Sequence, residues 1–127
     1  MMKLDDLIPM SKLDKKNAAI DFVKLYQNKG YEKGNCQMFW SVLLHRVFGV
    51  KHPENFIQFE KPAKNTTIKF IDAYIPETKV LIEQKSSHVN LEKPIKQSDG
   101  TLLSAIDQAH FYSDMLDYSE MPRWIIV

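Results

Sequence analysis

Two carboxylates and a lysine, Asp72, Glu83 and Lys85, stand in one stretch with the types and spacing that hydrolysis of a phosphodiester around a metal ion would use. The runs Ile68–Ile75 and Val80–Lys85 are rich in β-branched and aromatic residues and flank the polar turn Pro76-Glu77-Thr78-Lys79, the pattern of a β-hairpin. An even-length loop sets Ile75 opposite Val80, and counting back along both strands brings Asp72 opposite Glu83 on one face. Cross-strand Cβ atoms lie roughly 4.5–5.5 Å apart, and two like unit charges at about 5 Å repel by roughly 3 kcal/mol at an effective dielectric near 20. Such a pair calls for a cation. Lys85 projects to the same face about 6–7 Å further along, while Gln84 points to the other.

Glu-x-Lys alone carries little weight, since Glu77-Thr78-Lys79 repeats it inside the turn. The competing reading of Asp72, Glu83 and Lys85 is an exposed ladder of ion pairs. What separates the second copy is Val80-Leu81-Ile82 before it, an apolar run expected of a central strand buried on both faces.

The surrounding elements follow from periodicity. Ala19, Phe22, Val23 and Tyr26 make one apolar stripe on a helix over 13–28, closed by Gly30. Trp40, Leu43, Leu44 and Val47 repeat that spacing on a second helix, from Asn35 as N-cap to Gly49. A first strand is expected at Phe56–Glu60, a polar loop from Ser86 to Thr101, a third helix over Leu102–Leu116 with Leu102, Ile106, Ala109 and Tyr112 inward, and a buried fourth strand at Arg123–Val127. The expected order is ααβββαβ.

On the third helix Gln108 and Tyr112 stand at i, i+4, on one face. A glutamine there can steady a lysine or touch a phosphate, and a tyrosine hydroxyl can reach another group, although Tyr112 also suits a core aromatic with a wet tip. Glu32, between the first two helices, and Gln37, at the start of the second, are further supporting candidates if the helices cover the sheet; residues at helix ends more often serve caps and solvent.

The chain has 127 residues, 44% hydrophobic and 26% charged, which suits one globular domain with a core of its own. A formal charge of +1 offers no strongly basic nucleic-acid surface, so DNA as a substrate would have to be held by something else. Cys36 is the only cysteine, which excludes an internal disulfide and suits a reducing cytoplasm. The four histidines, His45, His52, His88 and His110, lack zinc-ligand spacing. No signal peptide or membrane-length apolar run is visible, so no membrane partner is expected.

Asp72, then Glu83-Gln84-Lys85, then Gln108-x-x-x-Tyr112 on the next helix resembles the PD-(D/E)XK nuclease superfamily, with Ile71 where the superfamily motif has proline. The blocks Tyr31–Gly34, Phe39-Trp40, Asn55–Lys61, Phe70–Pro76, Leu81–Ser86, Leu91–Gly100 and Pro122–Val127 resemble, more narrowly, the N-terminal nuclease domain of single-chain type II restriction-modification enzymes. The resemblance implies an α/β (α+β) fold: a four-stranded mixed sheet flanked by helices. It implies a single nuclease domain over residues 1–127, an N-terminal piece of a longer protein. It further implies Mg²⁺, with Mn²⁺ as substitute, held by Asp72, Glu83 and the Gln84 carbonyl, and Lys85 orienting the attacking water. Double-stranded DNA would be the substrate of this endonuclease. Downstream, the family carries an adenine-N6 methyltransferase and a target-recognition domain in the same chain, where S-adenosylmethionine would bind; neither a Gly-rich cofactor loop nor Asn-Pro-Pro-[Tyr/Phe] occurs here. The alternative is a catalytically inactive DNA- or protein-binding module that kept the fold.

Overall fold

The computed structural model describes residues 2–27, 32–63 and 69–127, with 32–34 in backbone only. Helix α1 (Lys12–Tyr26) starts at a capping box. The Ser11 hydroxyl accepts the Asp14 N–H and the Asp14 carboxylate accepts the Ser11 N–H, which satisfies two donors a helix start leaves open. Helix α2 (Glu32–Val42) runs into a single π turn at Leu43–Val47. Gly49 then turns the chain at φ +71°, and its carbonyl accepts the Ile8 N–H at 2.6 Å. Four strands form one mixed sheet: β1 (Gln58–Pro62), β2 (Phe70–Ile75), β3 (Val80–Ile82) and β6 (Trp124–Ile126), in that spatial order. β2 is antiparallel to β1 and to β3, whereas β6 runs parallel to β3. Between β3 and helix α3 (Ala105–Asp114) lies a small antiparallel ribbon, β4 (Ile95–Lys96) with β5 (Leu102–Leu103).

Both faces of the sheet are covered. Ala73, Ile75 and Ile82 pack with Leu44, Val50 and Ile57, and Trp40 packs on that cluster. On the opposite face Tyr74 and Leu81, with Ile71, pack with Ala109 and Tyr112 of α3. Leu81 and Ile82 are 0% and 1% exposed, so β3 is the central strand buried on both sides that its apolar run implies. This is a mixed α/β fold compatible with a PD-(D/E)XK-like α+β core.

Several local expectations change. Residues 86–101 are not all loop, because the Gln97 N–H bonds the Thr101 carbonyl and the turn at Asp99-Gly100 closes the β4–β5 ribbon. Leu102 and Leu103 therefore belong to a strand, and α3 begins only after Ser104, whose hydroxyl accepts the Asp107 N–H. That start sets the phase: Ala105, Ala109 and Tyr112 face the sheet, and Ile106 is exposed. Asn35 is not an N-cap but lies inside α2. The first strand begins at Gln58 because a 3₁₀ turn at Pro53–Asn55 takes up the Phe56 and Ile57 N–H groups. On α1, Val23 is 62% exposed and leaves the expected stripe, whereas Phe22 and Tyr26 face inward as expected, meeting Phe39 of α2 at 5.1 and 5.2 Å between ring centroids. Gly30, the expected helix stop, lies outside the described residues. β6 is an edge of the described sheet, so Trp124 is 67% exposed and only Ile125 reaches the core.

Candidate functional site

The β2–β3 register pairs Ile75 with Val80, Tyr74 with Leu81 and Ala73 with Ile82. Continued by one residue, it sets half-buried Asp72 opposite Glu83, which is 2% exposed. Glu83 ends the pairing toward β6, its N–H donating to the Ile126 carbonyl at 2.9 Å. The Gln84 N–H then donates across the hairpin to Asp72 Oδ2 at 2.8 Å. Lys85 does not extend away along the strand. Its Nζ turns back to Glu83 Oε1 at 3.1 Å and also donates to Gln108 Oε1 of α3 at 3.0 Å. Gln108 Nε2 in turn donates to the Tyr112 hydroxyl at 3.0 Å. Glu83, Lys85, Gln108 and Tyr112 thus form one hydrogen-bonded line along the face of the sheet that α3 covers.

The electrostatics follow from that packing. Lys85 offsets the like-charge repulsion of the carboxylate pair, with side-chain exposure of only 11%. Burial pushes the Tyr112 hydroxyl above its ordinary pKa; the Gln108 hydrogen bond lowers it, nearby Glu83 and Asp72 raise it further, and Lys85 lowers it. The tyrosine therefore stays protonated beside two carboxylates.

The chain matches the family model for the MmeI N-terminal domain over residues 14–127. The chain belongs to that family. MmeI is a type IIG restriction-modification enzyme, and the chain is a restriction-enzyme module of its N-terminal type. No curated protein and no solved structure matches it.

In this MmeI-type domain, the donor set suits a hard cation. Among the described residues no three His, Cys, Asp or Glu side chains cluster as a metal site. Asp72 and Glu83 are two carboxylates without a third. Mg²⁺ is commonly held in that way, through one or two carboxylates with waters and substrate phosphate completing the shell. Asp72, Glu83 and the Gln84 carbonyl therefore fit Mg²⁺, and Mn²⁺ by the same oxygen chemistry.

The other candidates divide. Gln108 and Tyr112 join the site. Gln37 is exposed on α2 and lines a different hollow, with Gln58 and Phe59 of β1. The Glu32 side chain lies outside the described residues. One residue escaped the sequence reading: Trp40, whose indole Nε1–H donates to Gln84 Oε1 at 3.1 Å. Its membership in an apolar stripe concealed it. The signal was strand alternation, which sends Gln84 away from Glu83 and Lys85 toward the helix that carries Trp40.

Proposed function

We propose that the chain is a Mg²⁺-dependent DNA endonuclease domain, the cleavage module of a type II restriction-modification enzyme. One observation carries this reading. The β2–β3 register, continued one residue past Ala73–Ile82, sets Asp72 opposite Glu83, and Lys85 is held on Glu83 and Gln108. Asp72, Glu83 and the Gln84 carbonyl would hold the ion. When bound, it would supply a positive charge that acidifies water and stabilises the developing phosphoryl charge. Lys85, anchored at two points, orients the attacking water and offsets negative charge on the phosphate. The water oxygen bonds to phosphorus as one P–O ester bond breaks, so no side chain needs to form a covalent intermediate. Gln108 fixes Lys85, and the neutral Tyr112 hydroxyl fixes Gln108.

The near-neutral chain suits a module held on double-stranded DNA by other parts of a longer protein. Those parts would carry the methyltransferase with its S-adenosylmethionine and the target-recognition region. A catalytically inactive binding module is the second reading, and the ion pair favours it: Lys85 already offsets Glu83 without any metal.

The test is thermal melting in Mg²⁺, Mn²⁺ or Ca²⁺. A ligand of the native state alone stabilises by about 2.7 kcal/mol at a hundred times its Kd, so melting should move up. Glu83→Gln should remove that increment. An equal response from both proteins would put the metal elsewhere.

A further inference from the structure

The geometry points to Trp40 as a positioning residue that holds the Gln84 peptide in its metal-binding orientation, an inference that rests on the function proposed above. Backbone pairing in this segment ends at Glu83, whose N–H reaches Ile126. Gln84 is tied from both faces of the sheet: its N–H donates to Asp72 Oδ2 at 2.8 Å toward α3, and its side-chain Oε1 accepts the Trp40 indole at 3.1 Å toward α2. A peptide fixed at its N–H can still swing its carbonyl when the adjoining torsions turn together. The indole bond restrains that swing, because moving the Gln84 backbone drags its side chain off Trp40.

Trp40 is suited to act as a fixed point. Its ring packs on the buried cluster of Leu44, Ala73, Ile75 and Ile82 and meets Phe39 edge-on at 5.4 Å. Trp40, Phe39 and Leu43 also wall an open cavity of about 410 Å³ that reaches Glu83, Gln84 and Lys85. The brace therefore reaches Gln84 from the side of the sheet that α2 covers. Partners of this kind orient the oxygens that bind an ion, and their loss typically weakens metal affinity about 10–100-fold.

The experiment is a calorimetric titration of Mn²⁺ into the 127-residue chain, with melting of the metal-free proteins alongside. Trp40→Phe keeps the ring and removes the donor; Gln84→Leu keeps the backbone and removes the acceptor. Each should weaken Mn²⁺ binding about tenfold or more, and the double variant should bind no more weakly than either single one, since both remove one bond. A role in stability alone would lower melting and leave the Mn²⁺ affinity unmoved. If Trp40→Phe does not fold, Gln84→Leu decides, because it leaves the aromatic packing in place. Wild-type affinity in these variants, with binding abolished in Glu83→Gln, overturns the brace and leaves the proposed site standing. Undiminished binding in Glu83→Gln removes the site itself and the inference with it.

Discussion

Glu83 and Lys85 form a contact that neither residue can lose quietly. With exposures of 2% and 11% and a separation of 3.1 Å, each compensates a charge that burial would otherwise penalise. Removing one partner of a buried pair commonly costs about 3–5 kcal/mol. Lys85→Ala should therefore lower stability by about 3 kcal/mol in a urea titration without metal, and Glu83→Gln by less, since an amide can still accept from Lys85. A loss below about 1 kcal/mol for Lys85→Ala would mean that the pair is screened as on an open surface. Tyr112 adds a pH dependence. Its folded pKa is raised above the ordinary value of a tyrosine, chiefly by burial, so the folded protein holds the proton where the unfolded chain has lost it. Stability from this group is full below that value and is lost as pH rises through the folded pKa. Tyr112→Phe should flatten the alkaline fall in melting temperature, and an unchanged slope would assign that fall to other groups. The hairpin pairing was legible in the sequence because it needs only a two-residue period and an even loop. The Trp40–Gln84 bond was not, because it joins residues 44 apart through the packing of a helix on a sheet.

At the scale of elements, α3 matters because it carries Gln108 and Tyr112 to the sheet. Its phase is set by Ser104, whose hydroxyl accepts the Asp107 N–H at 3.2 Å while Asp107 Oδ2 accepts the Ser104 N–H and hydroxyl. Ser104→Ala should cost about 1 kcal/mol, read as a lower urea midpoint at unchanged slope; no shift would show that α3 is fixed by packing alone. Ala105 and Ala109 lie at the covered face, and their small side chains let α3 lie close to β3. Helical spacing in 102–116 announced a helix but not its start, since Leu102 and Leu103 fit the apolar period as well as they fit a strand. The β4–β5 ribbon was hidden for a related reason: strands of two residues are too short to show alternation, and the Gln97–Thr101 turn closes them. β6 misled in burial because an apolar run specifies a strand without specifying what lies beside it, and here the described sheet ends with it.

Across the whole molecule, β3 ties the two halves of the core. Leu81 packs toward α3 and Ile82 toward α2, so damage to either strand face should unfold both. Leu81→Ala should cost about 2–5 kcal/mol, with the transition followed by Trp fluorescence coinciding with that by far-ultraviolet circular dichroism. Separated transitions would mean that the halves fold independently. A formal charge of +1 gives this domain little hold on DNA. Tethering to a specific binder raises the local concentration of substrate without any new contact at the cleavage site, so the 127 residues alone should cut weakly or not at all. The most direct measurement is DNA cleavage in Mg²⁺ by an extended protein in which the proposed methyltransferase and recognition regions accompany this domain, compared with its Lys85→Ala variant below the variant's melting temperature, with sequence-specific binding and methyl transfer assayed on the same preparation. Cutting should vanish while binding and methylation persist. Cleavage at the unaltered rate by Lys85→Ala would contradict the assignment of this site.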